Sequence, residues 1–266
     1  MAKIQLDHVS YSYPNHGRPA EVLHDLNLTI ERGEFVCVVG RSGCGKTTLL
    51  RLLAGLDFPT QGTVRIDGEP VDGPGTDRSI VFQSYTLFPW MTARQNILFG
   101  IQQTGKWGRA DARRLADAFL QKVELTDAAD KYPYQLSGGM RQRVAIARSL
   151  AMDTEILLLD EPFGALDAKI RGELQEFMDT LRWGGGQSEK TVVFVTHDID
   201  EALYLADRII YMTPGRIASD IPVPLPRPRN RLLPEEREQM EALRRELLGL
   251  FDREEGAPCW RAAGVS

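Results

Sequence analysis

Gly40-Arg41-Ser42-Gly43-Cys44-Gly45-Lys46-Thr47 is the stretch on which the architecture turns. It follows an unbroken apolar run, Phe35 to Val39, and leads into Lys46 to Leu56, where leucines and alanine recur at helical spacing. Strand, glycine-rich turn and helix in that order make half of a βαβ unit. The spacing also suits an anion cradle. Glycines let the backbone wrap a phosphate with its N–H groups turned inward, and the helix N-terminus adds a favourable dipole. Lys46 would neutralise β- and γ-phosphates and Thr47 would offer its hydroxyl to Mg²⁺. The candidate nucleotide-binding run is therefore Gly40, Arg41, Ser42, Gly43, Cys44, Gly45, Lys46, Thr47 and Thr48. An adduct on the Cys44 thiol is expected to obstruct nucleotide, so alkylation should inactivate and ATP should protect; the alternative is a buried, inert thiol.

Downstream, Ile156-Leu-Leu-Leu-Asp160-Glu161 is an apolar strand delivering an acidic pair at its carboxyl end. Asp160 is placed to hold Mg²⁺ and Glu161 to orient or deprotonate an attacking water. Val192 to Val195 and Ile209 to Met212 are further continuous apolar runs, so a buried parallel sheet is expected. Upstream, Ile4 to Val9, Asn27 to Ile30 and Thr63 to Ile66 alternate between turn-rich joints and predict an antiparallel edge sheet. Between about Leu87 and Tyr132 the pattern is helical and polar, with Leu115, Phe119 and Val123 on one face of Asp111 to Val123. After Asp220, Pro222, Pro224, Pro226, Pro228 and Pro234 mark a stiff linker, followed by an amphipathic helix from about Glu235 to Arg253.

Composition narrows the function classes. The 266 residues are 42% hydrophobic, enough to bury a substantial core. Against 37 acidic residues stand 32 Lys+Arg, net −5, which offers nucleic acid no general attraction. Cys37, Cys44 and Cys259 lack metal-ligand spacing, and their odd number suits a reducing compartment. No apolar run approaches the roughly 20 residues a spanning helix needs, and the first residues lack a signal-peptide pattern. A membrane role would run through a partner.

Leu136-Ser137-Gly138-Gly139-Met-Arg-Gln-Arg143 narrows the many users of a phosphate loop to one group. Ser137 caps, and the two glycines open, a helix running to about Met152, a second anion-binding helix end remote from the first. The stretch resembles the signature of the ATP-binding-cassette (ABC) family, over roughly residues 2 to 220. The resemblance implies an α/β fold: a P-loop NTPase (RecA-like) core with an antiparallel β subdomain and an inserted α-helical subdomain. It implies an ABC ATPase domain over 1–220, the helical part at about 87–155, and a linker with a C-terminal helix over 221–266. Two subunits would pack head to tail, the phosphate loop of one and Ser137, Gly138 and Gly139 of the other closing on one ATP. Gln83, after Val81-Phe82, resembles the glutamine that contacts Mg²⁺ and links the lobes, and His197 the switch histidine at the γ-phosphate. Ala165-Leu166-Asp167 resembles the loop that crosses the dimer interface. Tyr13 resembles the aromatic that stacks on adenine, although Tyr11 competes for that role.

Gly73-Pro-Gly75, Ser84-Tyr-Thr-Leu-Phe-Pro-Trp90, Asp160 to Asp167 and Thr196-His-Asp-Ile-Asp-Glu-Ala202 resemble the nitrate, sulfonate and taurine branch of bacterial importers. What that branch implies is an ATPase, as a homodimer or paired with a related subunit, at the cytoplasmic face of the cell membrane. Two integral permease subunits would be its direct partners, and an extracytoplasmic solute-binding protein an indirect one. The alternative is a soluble ABC ATPase with a non-transport partner. Phe88, Pro89 and Trp90 would line the groove that receives a permease helix, unless Trp90 packs the helical layer instead. The tail stripe Met240, Leu243, Leu247 and Leu250 is expected to pack on its own subunit. Arg227, Arg229 and Arg231 would be solvated on the linker or touch lipid headgroups.

Overall fold

The computed structural model describes residues 2–14, 20–84, 86–164, 166–183, 190–227, 229 and 233–255. Tyr85, Ala165, Pro228, Arg231 and Cys259, used in the reading above, lie outside the described residues. The strands are β1 (Ala2–Tyr13), β2 (Ala20–Glu31), β3 (Phe35–Gly40), β4 (Gln61–Ile66), β5 (Glu69–Pro70), β6 (Arg78–Val81), β7 (Ile156–Asp160), β8 (Thr191–Thr196), β9 (Arg208–Thr213) and β10 (Arg216–Pro222). The α-helices are α1 (Lys46–Ala54), α2 (Ala93–Gln103), α3 (Arg109–Lys122), α4 (Gly138–Ala151), α5 (Ala168–Trp183), α6 (Ile199–Leu205) and α7 (Pro234–Glu255).

Two sheets result. The larger runs β10-β9-β3-β8-β7-β6, parallel except for the hairpin partner β10, and the smaller is antiparallel in the order β2-β1-β4-β5. Every residue of β3, β7 and β8 is buried, which is why these strands read as unbroken apolar runs. Alternate residues of β3 feed two cores. Phe35, Cys37 and Val39 join the core formed with α2 to α6, whereas Val36 and Val38 join that formed with α1 and the antiparallel sheet.

The antiparallel strands are longer than the alternation predicts, because bulges interrupt their period. His8 and Asp25 take left-handed backbone angles (φ 49° and 50°) at facing irregularities of β1 and β2, and His8 Nδ1 meets Asp25 Oδ1 at 2.7 Å. Helix α1 ends two residues before Leu56 because Gly55, at φ 72°, turns left-handed. A Cβ there would lie 2.1 Å from the Gly73 carbonyl oxygen.

The C-terminal segment is packed rather than solvated. From Ile221 to Leu225 apolar residues point inward and prolines outward, burying Ile221, Val223 and Leu225. Arg229 is buried, donating from Nη1 to the Leu203 carbonyl at 2.6 Å, and Arg227 donates to the Leu205 carbonyl. This corrects both expectations for these two arginines, solvent and lipid headgroups: three backbone and side-chain acceptors around the end of α6 claim them. Helix α7 buries Leu247 and packs Met240, Leu243 and Leu250 on the core.

Candidate functional site

Four parallel strands, β3, β6, β7 and β8, end on one edge of the large sheet, and each hands its chain to a segment bearing a predicted site residue. Ligands of open α/β sheets bind along such an edge. From β3 comes the loop 40–45, with Gly43 at φ 82° and Gly45 at φ 111°. A Cβ on Gly40 would stand 2.3 Å from the Met212 carbonyl oxygen, so β9 enforces glycine there. Gly45 caps α1 without any side-chain bond, and the first turn, Lys46-Thr47-Thr48, carries no acid to compete with an anion.

Lys46 is buried and folds back on its own loop, Nζ donating to the carbonyls of Gly40 (2.6 Å) and Arg41 (3.0 Å). An ammonium has a third donor to turn toward a phosphate. Thr47 Oγ1 donates to Asp160 Oδ2 at 2.9 Å, joining the start of α1 to the end of β7. Burial raises the Asp160 carboxyl, and neighbouring Glu161 adds to the rise, against the pull of the Thr47 bond and Lys46. A cation beside Asp160 would offset that desolvation.

Glu161 leaves β7 at φ 46°, an uncommon backbone angle for a side chain of this size, while its N–H donates to the Val195 carbonyl at 2.9 Å. The kink turns its carboxylate toward both flanking strands. Gln83 Nε2, just past β6, donates to Glu161 Oε2 at 3.2 Å, and His197 Nδ1, just past β8, lies 3.2 Å from the same oxygen. The three residues named as catalytic candidates thus meet at one atom.

Tyr13 and Tyr11 separate cleanly. Tyr13 is 38% exposed with its hydroxyl 3.2 Å from Thr48 Oγ1, whereas Tyr11 is 7% exposed and packs edge-on against it. Of the two rings, that of Tyr13 is the exposed one, beside α1. Ser137 caps α4, its hydroxyl accepting from Met140 N–H at 3.3 Å, with Gly138 and Gly139 forming the first turn. Asp167 accepts from Ile170 N–H at 3.0 Å at the start of α5. These residues are not bonded to the loop of their own chain among the described residues.

Cys44 corrects the expectation of a reachable thiol: the residue is 2% exposed and lies within the core shared by α1 and the antiparallel sheet. Only its backbone belongs to the loop surface. Trp90 is 69% exposed, its ring 5.6 Å from that of Phe88, so it does not pack the helical layer. Phe88 is held from behind by Phe99 at 4.8 Å and by the Arg148 guanidinium at 5.4 Å. Arg171, Asp198 and Glu201, close to His197, escaped the sequence reading. The Asp198-to-Glu201 spacing, typical of a capped helix start, was their only local signal.

Comparison with known proteins agrees with this geometry. A family model described as ABC transporter matches residues 23–164. An uncharacterized ABC transporter ATP-binding protein of Methanocaldococcus jannaschii is 48% identical over 231 residues, 86% of this chain and 85% of that protein. The nitrate import ATP-binding protein NrtD of Synechococcus elongatus is 45% identical over 254 residues, 94% of this chain and 92% of that protein. The bicarbonate transport ATP-binding protein CmpD of Synechocystis is 47% identical over 234 residues, covering 86% and 82%. Among solved structures, a dimeric post-hydrolysis ATP-binding cassette bound to ADP and Pi matches with TM-score 0.76 and 35% identity, covering 83% of this chain and 98% of that one. Fold, site edge and kinship together make this chain a member of the ABC transporter family, an ATP-hydrolysing ATP-binding subunit.

Proposed function

We propose that the chain energises an importer for a small anionic solute of the nitrate, bicarbonate or sulfonate kind. The observation that carries this is the 45% identity to a nitrate import subunit across nearly the full length of both chains. Two copies pair head to tail, the phosphate loop of each facing Ser137, Gly138, Gly139 and Asp167 of the other. The assembly sits on the cytoplasmic face of two integral permease subunits, which receive solute from an extracytoplasmic binding protein. A dimeric cassette among the similar structures supports the pairing.

Within each site Lys46 and the N–H groups of residues 40–48 bind the phosphates, and Tyr13 supports the adenine. Thr47, Asp160 and Gln83 form an oxygen-donor set of the kind Mg²⁺ selects, and Asp160 is a buried carboxyl that gains from a cation. Bound Mg²⁺ supplies neutralising charge to the β- and γ-phosphates. Glu161 orients the attacking water and takes its proton. Gln83 and His197 hold the Glu161 carboxylate through Oε2, and His197 contacts the γ-phosphate. Closure around two ATP molecules drives the permease; hydrolysis and phosphate release reopen the pair.

The test is to co-express the chain with candidate anion permease subunits, isolate the complex, and measure uptake by proteoliposomes containing ATP. Nitrate, bicarbonate and sulfonates are supplied separately with the matching binding protein. ATP-dependent uptake of one of them is expected. An active ATPase that joins no membrane protein and supports no uptake overturns the proposal.

A further inference from the structure

His197 sits between two residues that are bonded to one another. The Asp198 N–H donates to Thr196 Oγ1 at 3.0 Å, and that hydroxyl donates to Glu201 Oε2 at 2.7 Å. Glu201 is buried, so the turn carrying the imidazole hangs from a carboxylate that cannot readily move. Facing this turn from α5 is Arg171. Its Nη1 lies 3.7 Å from Asp198 Oδ2 and its Nε 3.7 Å from Glu201 Oε1, while Nη2 donates to the Leu166 carbonyl at 3.4 Å. Arg171 N–H also donates to the Asp167 carbonyl at 2.9 Å. The guanidinium thus bonds Leu166 and faces the His197 turn, while the backbone of the same residue holds Asp167.

The fit is incomplete in a telling way. Arg171 Nε is buried without a hydrogen-bond partner among the described residues, and both carboxylates stand just beyond bonding range. A buried donor left unbonded is costly. An approach of about 1 Å between α5 and the turn would bond it to an acid.

We propose that Arg171 is a positioning residue that couples the Leu166-Asp167 segment to His197, so that movement of the one sets the other. The inference rests on the reading of His197 and Asp167 given under Proposed function. Arg171 touches neither nucleotide nor water in this scheme; it acts through the turn. Burial raises the Glu201 carboxyl and Asp198 adds to it, while Thr196, Arg171 and His197 favour the ionised form that attracts the guanidinium.

The test compares Arg171→Ala, Arg171→Lys, Glu201→Gln and the double variant Arg171→Ala/Glu201→Gln in the isolated full-length chain. Glu201→Gln keeps an acceptor for Thr196 and removes only the charge that draws Arg171, so it remains informative if Arg171→Ala fails to fold. Loss of positioning predicts that kcat for ATP falls on the order of ten- to a hundredfold in Arg171→Ala and in Glu201→Gln. KM for ATP should stay within about twofold, and Arg171→Lys should recover part of the rate. The double variant should be no slower than the worse single one, since both break one link. Rates within about twofold of wild type in the folded single variants overturn the proposal, as do losses that multiply or a KM that rises in step with the falling kcat. Glu161→Gln assayed in parallel separates the two levels: if it keeps turnover the site reading itself has failed, and if it abolishes turnover while Glu201→Gln keeps the wild-type rate only the coupling has.

Discussion

Glu161 Oε2 stands 3.2 Å from His197 Nδ1, binding the acid at the end of β7 to the turn beyond its neighbour β8. The contact is possible because Glu161 takes a left-handed φ of 46° while its N–H stays on the Val195 carbonyl. Glu161→Gln keeps the size of the side chain and removes the proton acceptor. Hydrolysis should fall on the order of a hundredfold or more, since a general base contributes at least that much. Lys46, Thr47 and Asp160 are left intact, so Mg·ATP affinity should hold and an ATP-bound dimer should accumulate. Steady-state phosphate release, equilibrium nucleotide binding and size-exclusion chromatography with ATP check the three parts.

The thiol of Cys44 lies in the core although its backbone shapes the phosphate loop. Burial therefore predicts an inert thiol: an alkylating reagent should leave Cys44 unmodified in the folded protein, with or without ATP, and label it once denaturant is added. Peptide mass spectrometry decides the matter. Rapid labelling of the native chain with loss of ATP binding would restore the exposed alternative.

Much of this arrangement was legible in the sequence, for an identifiable reason. Buried parallel strands must be apolar throughout, so β3, β7 and β8 announced themselves, and the groups at their ends could be placed by counting. Ser137 with Gly138 and Gly139 fixed the start of α4 by capping chemistry alone. What stayed hidden depends on contacts far apart in sequence. Bulges at His8 and Asp25 disguised the length of β1 and β2. The prolines after Asp220 suggested a solvated spacer, yet Ile221, Val223 and Leu225 between them alternate like a strand and are buried. Tyr11 and Tyr13 stand two apart on β1, so alternation does not separate them; only the packed structure shows that Tyr11 is buried and Tyr13 exposed beside Thr48.

Helix α7 closes onto the cassette beside the phosphate loop, Arg41 Nη2 donating to the Phe251 carbonyl at 3.0 Å and Tyr211 Oη to the Leu250 carbonyl at 3.3 Å. Leu247, fully buried, anchors it. Leu247→Ala should cost about 2–4 kcal/mol of stability, the usual range for a buried leucine. Chemical denaturation monitored by circular dichroism measures it. A loss below about 0.5 kcal/mol would place α7 outside the cooperative core.

Lys3 is 1% exposed, and its Nζ bridges Asp67 (2.5 Å) and Glu155 (2.6 Å), joining β1 to the loop before β7. The bonds from Lys3 and from Arg32 hold the Glu155 carboxyl below its ordinary 4.5. A carboxyl lowered by folding adds stability above its unfolded value, and that share is lost as pH falls through the lower folded value. Lys3→Met removes a buried donor from two half-exposed, solvent-screened carboxylates and should destabilise the protein by about 1 kcal/mol at neutral pH. It should also flatten the decline of Tm as the pH falls below about 4.5 through the lowered folded value, leaving only the contribution of Arg32. Thermal melts of both proteins across that range test the sign, and an unchanged pH slope would contradict it.

The aromatic pair of exposed Trp90 and half-buried Phe88 on the helical layer bears on coupling. Trp90 is 69% exposed, yet Phe88 beneath it is fastened by Asn96, whose Oδ1 accepts from Phe88 N–H at 2.8 Å and whose Nδ2 donates to the carbonyls of Phe88, Met91 and Thr92. A rigid loop thus presents a large apolar side chain to solvent, an arrangement common at binding surfaces. It also reaches the signature helix, because Arg148 of α4 donates from Nη2 to the Thr86 carbonyl at 2.7 Å and lies over the Phe88 ring. A partner pressing on Trp90 would push on α4, whose first turn is the one proposed to face ATP. Trp90→Ala removes exposed surface only and should leave folding and ATP binding by the isolated subunit unchanged. Phe88→Ala removes in addition its contacts with Phe99 and Arg148 and should lower stability modestly. Each central aromatic of an interface contributes about 2 kcal/mol or more, so loss of the pair should weaken assembly with the proposed permease by on the order of a thousandfold. Co-purification, ATP binding and solute uptake measured on the same double variant distinguish the outcomes. Normal assembly and uptake would show that the permease docks elsewhere, whereas lost nucleotide binding in Trp90→Ala alone would mean that the ring supports the fold despite its exposure.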